Sequence, residues 1–389
     1  MNYTSNNLTE YLVSLISLAG EIPKDISIKG INPKTIQNNL SSGKKNMLLK
    51  IDKEHNRVRL RAPKGLEYLR EISEELYEHY MMISNNHKFQ RSERSIANLK
   101  AFSETVLFFV NNGYEIDNIR ITYKPNHFGK NAGLKNGVES VLGESEIYDI
   151  GMSKFFSNGK IIPVQKATAL KIAYEKKFYT SKYLKNEYPV THRINLSKST
   201  GIAIIENNLY CVYNNRPDES VYLASESTFK SLAEEIYKNA YGTSKIEASA
   251  ILLSDNLKHN KSYAKIYKTC LTITKSKEDG ENKTLKLITG KDWKKRLNIG
   301  LYGEYIEGRA YDGTMNNCPS WELISGNMKT IQTARERSMG RPVNFICLKE
   351  QEAAIKKQLT GMNYELTVLD KNQEEILEDF IKNFKKYNT

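Results

Sequence analysis

Cysteine is scarce in this chain: four residues in 389, at positions 211, 270, 318 and 347, with no CxxC pair. That argues against a disulfide framework or a cysteine-based zinc site and fits a reducing compartment. No run of 18 apolar residues occurs, so no membrane span is expected. The opening MNYTSNNLTEYLVSL has neither a basic n-region nor a small-residue cleavage site. No secretory signal is therefore expected, and the cytoplasm is the expected location. Histidine is sparse too. The six (His55, His79, His87, His127, His192, His259) include no His-x-His pair for an HUH-type metal and no His-x-x-Arg of a tyrosine recombinase. Neither GxxxxGK[ST] nor GxGxxG is present, which argues against a nucleotide-driven motor. No repeat of fixed period is found.

What the chain has in excess is positive charge. The net charge is +13, and the length suits two or three domains. Hydrophobic residues make up 39 % and charged residues 26 %, as in folded globular proteins. The charge is uneven: Lys24 to Arg70 holds twelve Lys and Arg against four Asp and Glu, a local +8. A concentrated positive field favours a polyanionic partner, nucleic acid first.

The stretch NRVRLRAPKGLEYLREI, residues 56–72, lies in that region. Arg57, Arg59 and Arg61 alternate with Val58 and Leu60 as in a strand, and Pro63 and Gly65 then turn the chain into a helix. Upstream, Leu8, Tyr11, Leu12, Leu15, Ile16 and Ala19 recur at helical spacing, and Gly20 ends the run. A short second helix is expected at about 22–28, closed by Gly30. Asn32 and Pro33 then open a third, as N-cap and first helical residue. Its Ile36 and Leu40 face a core, and Lys34, Thr35, Gln37, Asn38 and Asn39 face outward. MLLKIDKEHNRVRLRAP reads as a hairpin around DKEHN.

Three helices, a basic hairpin and a helix are the order of a winged helix-turn-helix. The third helix would offer amide and hydroxyl groups to base edges, and the hairpin arginines would meet phosphates. The expected DNA-binding residues are Lys34, Thr35, Gln37, Asn38, Lys44, Lys45, Arg57, Arg59 and Arg61. One face of the arginine strand would pack on the helices while the other meets the polyanion. RLRAPKGLEYL resembles the strand-to-helix ending common among winged helices.

Further on, YLREISEELYEHYMMI predicts one long helix. A second follows in HKFQRSERSIANLKAFSETVLFFVNNGYEI, with Ile96, Leu99, Ala101, Phe102, Val106, Phe109 and Val110 as its apolar stripe and Gly113 as its stop. The pair is expected to bridge domains, with the alternative that Lys88, Arg91 and Arg94 add phosphate contacts or a dimer seam. The Gly- and Asn-rich residues 124–146 predict a loop and a domain boundary. Beyond it, KIIPVQK, SAILLSD, KTLKLIT, PVNFICL and YELTVLD read as strands and TGIAIIENNLYCVYN as a hairpin. Helices are expected at SLAEEIYKNAYG and about 291–298, 326–338, 350–359 and 373–386. The expected fold is α+β or α/β: a winged helix at 1–80, a helical linker at 81–123 and a mixed α/β domain at 147–389.

HKFQRSERS, FYTSKYLKN, STGIAIIENNLYCVYNNR and SAILLSD together resemble the replication-relaxation family of plasmid and conjugative-element proteins. The resemblance implies a winged helix followed by a restriction-endonuclease-like domain, and a role in plasmid replication or mobilisation. A nuclease of that type needs two acidic groups for Mg²⁺ and a lysine beside the attacking water. RPDES supplies Asp218, but no acid-x-Lys follows on a nearby strand. Glu281-Asn282-Lys283 comes 63 residues later, and Glu175-Lys176-Lys177 precedes it. The catalytic motif is incomplete. Cys211 and Cys347 fall in apolar strands, as buried small residues.

The function expected first is sequence-specific double-stranded DNA binding for a mobile element, in replication, mobilisation or transcription control, without catalysis. The alternatives are a metal-dependent nicking or relaxase-like nuclease and a winged helix that binds protein. The expected partners are duplex DNA and a second copy of the chain, with no membrane. No cofactor is expected, and Mg²⁺ enters only with the nuclease alternative.

Overall fold

Asn7 starts the first helix, α1 (Leu8–Ala19), because its side-chain oxygen accepts from the Thr9 amide and satisfies a donor the helix leaves open. Gly20, at φ 77°, ends it where an L side chain would be strained. Nearly the whole circumference of α1 is buried, its Ser14 and Ser17 included. Their hydroxyls donate to Glu10 O and Ser14 O, so no polar group is stranded there.

The computed structural model describes residues 1–28, 30–84, 92–124, 176–188, 192–216, 218–243, 246–254, 257, 259–273, 282–290 and 292–387. They fall into two compact units, residues 1–189 with 236–244 and residues 190–235 with 245–389. Both combine helices with sheets, so the chain is an α+β protein. Among the described residues no helix is long and apolar enough to cross a membrane.

In the first unit, β1 (Asn2–Ser5) pairs in parallel with β6 (Arg120–Tyr123). After α1 come β2 (Ile22–Pro23), α2 (Pro33–Lys45), β3 (Leu49–Asp52) and β4 (Arg57–Leu60). The three strands form an antiparallel sheet in the order β2-β4-β3. Asp52 shapes the hairpin tip, its Oδ1 accepting from the amides of Glu54 and His55. The helix expected at 22–28 is therefore not formed. Ile22 pairs with Val58 instead, and Pro23, which has no N–H to give a ladder, sits on an edge strand.

The expected long helix is two: α3 (Lys64–Ile72) and α4 (Glu74–Ile83). Ser73 lies between them in extended backbone, and its hydroxyl accepts from the Leu76 amide to cap α4. Next, α5 (Glu93–Asn111) packs on α1 within this unit, so residues expected as a linker carry part of its core. The division also falls elsewhere than the expected limits at 80, 123 and 147. The unit continues with β5 (Glu115–Ile116), parallel to β7 (Lys176–Thr180), and α6 (Ser181–Glu187). A buried network joins these pieces. His79 on α4 sits 2.9 Å from Asp117 Oδ2 and 3.0 Å from Ser17 O. Asp117 also accepts from the Thr180 amide and hydroxyl.

The second unit begins with α7 (His192–Leu196), followed by β8 (Ser199–Ile205) and β9 (Asn208–Tyr213). These form an antiparallel hairpin turning at Glu206 and Asn207, both at positive φ, as a two-residue turn requires. The helix α8 (Leu223–Tyr241) leads to β10 (Ser249–Leu253), parallel to β9 and to β11 (Cys270–Ile273), with α9 (Asn260–Tyr263) between β10 and β11. KTLKLIT, expected as a strand, is helix α10 (Lys283–Ile288), capped by Asn282 accepting from the Leu285 amide. After it come α11 (Trp293–Tyr302), β12 (Gly313–Met315), β13 (Cys318–Glu322), α12 (Met328–Ser338), β14 (Val343–Leu348), α13 (Glu352–Gln358), β15 (Tyr364–Leu369) and α14 (Lys371–Tyr387).

The last four strands form a sheet in sequence order. β12–β13 is antiparallel and the other two pairs are parallel. One face packs Trp321, Phe345 and Cys347 into a core with Met328, Ile331 and Ile355 of the helices. Cys211 and Cys347 are buried, and burial pushes both thiols up to about 12. KIIPVQK and residues 125–146 lie outside the described residues.

Candidate nucleic-acid interface and a buried acidic pair

Helix α2 buries Ile36, Leu40 and Gly43 and turns Lys34, Thr35, Asn38, Lys44 and Lys45 outward. Lys34, Asn38, Ser41 and Lys45 follow helical spacing and share one exposed side. Gln37, expected to read bases, is committed elsewhere: its Nε2 donates to Lys24 O at 2.6 Å. Asn39 accepts from Thr9 Oγ1 and donates to Thr35 O, so it ties α2 to α1.

The three arginines of the hairpin part company. Arg57 is 2 % exposed. Its Nε donates to Glu21 Oε1 at 2.6 Å and its Nη2 to Ser103 Oγ on α5. Arg59 reaches the other oxygen of the same carboxylate, with Nε 2.7 Å from Glu21 Oε2. Glu21 is fully buried. A lone carboxylate there would carry a heavy desolvation cost, and two guanidinium groups offset it. Arg57 therefore cannot meet a polyanion, and Arg59 is mostly spent inside. Both expectations are corrected: the β4 face expected to be open is covered by α5 and Glu21. Only Arg61 of the three is exposed.

Arg61, Lys44 and Lys50 line a cleft of about 500 Å³ beside the hairpin, with Leu66 and Tyr80 among its other walls. Burial pushes the Tyr80 phenol up to about 12, so it stays neutral. Gly65 fits here for a local reason. A Cβ at this position would lie 2.3 Å from Leu48 O, the same carbonyl that accepts from the Arg61 amide. The GLEYL ending thus places α3 against the start of β3, with Leu69 fully buried beneath.

In the second unit the expected acids do not assemble. Asp218 sits exposed in a turn, while Glu281 and Glu175 lie outside the described residues. A different cluster forms on the polar face of the last sheet. Asp312, just before β12, accepts from the Glu322 amide through Oδ2 at 3.0 Å. Its Oδ1 lies 3.0 Å from Lys294 Nζ and 3.4 Å from Asn298 Nδ2, one turn apart on α11. Glu322, at the end of β13, accepts from the Ser325 hydroxyl and amide at 2.8 and 3.0 Å. Burial, and then the charge of Asp312, push the Glu322 carboxyl up to about 7. Asn298 is 2 % exposed and its Oδ1 has no hydrogen-bond partner. Asn344, opposite Ser320 in the register, likewise has a partnerless Nδ2.

The sequence reading missed Lys294, Asn298, Asp312 and Glu322, which follow no short motif. The one signal was Asn316-Asn317, both at positive φ, the turn that folds Asp312 and Glu322 onto one hairpin. Among the described residues no group of three or more His, Cys, Asp or Glu side chains has a metal-holding arrangement. Comparison with family models, curated proteins and solved structures finds no match.

Proposed function

We propose that the first unit binds double-stranded DNA as a winged helix-turn-helix, with α2 as the groove-entering helix and β3–β4 as the wing. The observation that carries this reading is the exposed side of α2, where Lys34, Asn38, Ser41 and Lys45 align. Lysines at both ends suit phosphates on either side of a groove, and an amide between them suits a base edge. Lys44, Lys50 and Arg61 add cations beside the hairpin. The hairpin β3–β4 beside α2, with strands arranged β2-β4-β3, supports the same reading, with strand β2 standing where the second of the three expected helices would be. The resemblance to plasmid replication-relaxation proteins supports a role in the replication, mobilisation or transcription of a mobile element.

The test is fluorescence anisotropy at two salt concentrations. The probes are a random-sequence duplex and duplexes enriched by selection on the full chain. Wild type is expected to prefer the selected duplexes. The exposed changes Lys34→Ala, Lys45→Ala and Arg61→Ala should weaken binding to all duplexes, each lowering the salt slope by about 1. Asn38→Ala should narrow the preference and leave random-duplex affinity in place. Unchanged binding in the three cation variants would sink the reading.

A further inference from the structure

We propose that the cleft beside the hairpin binds a nucleoside monophosphate, its phosphate held by Lys44, Lys50 and Arg61 and its base laid on Ile51, Ala62 and Leu66. The cleft holds about 500 Å³, within the range of about 300–1,000 Å³ typical of small-molecule sites. Its lining joins three cations to apolar side chains and, among the described residues, contains no acid. Lys44, Lys50 and Arg61 are exposed, and Ile51, Ala62 and Leu66 each keep part of their surface open. Duplex phosphates account for the cations alone. They gain nothing from the apolar walls, which a ligand with a flat apolar body would cover.

The chemistry of the lining selects the ligand. A phosphate monoester carries a charge of about −1.5 to −2 and three acceptor oxygens, which suits three cations with no carboxylate among them. A sugar phosphate would bring hydroxyls to Ile51 and Leu66 and leave them without partners, whereas an aromatic base presents an apolar face. Backbone contacts set these walls in advance. Arg61 N donates to Leu48 O at 2.9 Å, tying the chain just after β4 to the chain just before β3, and Gly65 brings α3 against the same carbonyl. A site formed in advance loses less freedom on binding. Nucleotide and duplex would compete, because both draw on Lys44 and Arg61; that consequence rests on the duplex reading above, and the site itself does not.

The test is isothermal titration calorimetry of the full chain with the monophosphates of adenosine, guanosine, cytidine and uridine, beside inorganic phosphate and the matching nucleosides. One saturable site tighter than about 1 mM is expected for at least one nucleotide, with phosphate and the nucleoside each at least about tenfold weaker. Lys50→Ala and Arg61→Ala should each weaken it about tenfold, and Leu66→Ser about fivefold. Leu66→Ser should leave random-duplex affinity in place. No saturable uptake of any nucleotide at about 10 mM would overturn the proposal. So would phosphate binding as tightly as the nucleotides, since the apolar walls would then hold nothing. Circular dichroism reports whether Leu66→Ser folds. If it does not, photo-crosslinking of wild type with an azido derivative of the bound nucleotide decides: attachment within residues 44–66 or at Tyr80 supports the site, and attachment elsewhere overturns it. Nucleotide uptake without duplex binding would sink the duplex reading and keep the site, and duplex binding without nucleotide uptake would do the reverse.

Discussion

Glu21 Oε1 accepts from Arg57 Nε at 2.6 Å, with both side chains buried. Arg59 Nη2 lies 2.5 Å from the other oxygen of the same carboxylate. One acid thus fixes two strand residues and, through Ser103, reaches α5. Removing the acid leaves buried guanidinium charge unpaired. Glu21→Gln is expected to destabilise the first unit by about 3–5 kcal/mol, read from the urea midpoint. Arg57→Ala should lose a similar amount, and the double change should lose less than the sum of the two.

A second prediction concerns Gly65. Gly65→Ala places a methyl against Leu48 O and forces α3 away from β3. A loss of about 1–3 kcal/mol is expected from overpacking onto rigid backbone. Gly30→Ala is the control for positive φ without crowding, since nothing lies within 4 Å of its added carbon. A Gly65 variant as stable as wild type would show that the close approach is not needed.

A third concerns Lys182 on α6, whose ammonium donates to Ile83 O at 2.5 Å over the Phe102 ring. Burial pulls its pKa down to about 8, although the charge of Glu21 works against the fall. Between about 8 and the unfolded value near 10.4, the unfolded chain holds more protons than the folded one. Stability should therefore rise with pH across that window. Lys182→Met should remove the rise. Denaturant melts of both proteins between pH 7.5 and 10, the range set by that window, provide the check.

A fourth concerns Glu322. Its carboxyl titrates up to about 7 in the folded chain and near 4.3 when unfolded. Between these values the folded chain holds the extra proton, so stability should fall as pH rises through the window and level off above it. Glu322→Gln keeps the neutral shape and should flatten that part of the profile. An unchanged profile would show that Glu322 does not hold the extra proton in the folded chain.

Much of the local structure is written in local residues. Asn7, Asn32 and Asn327 cap helices, and Gly20 and Gly303 stop them, because a cap needs only its neighbours along the chain. The hairpin at Glu206-Asn207 and strands β10, β14 and β15 were likewise legible from turn residues and short apolar runs. The break at Ser73 was hidden because the apolar pattern runs on through it. KTLKLIT misled because its period fits a short helix as well as a strand, and the Asn282 cap decides between them.

Alternation alone determined that Arg57, Arg59 and Val58 occupy a strand with two unlike faces. Only the tertiary structure decided what each face meets. Glu21 lies 36 residues from Arg57, and α5 covers a face that the sequence leaves open. The same division holds for Lys294, Asn298, Asp312 and Glu322. Lys294, Asn298 and Glu322 belong to elements whose form their neighbours specify, and Asp312 lies just before one. Their meeting depends on how a helix is laid over a sheet, and that is set by burial of distant apolar surface rather than by spacing along the chain.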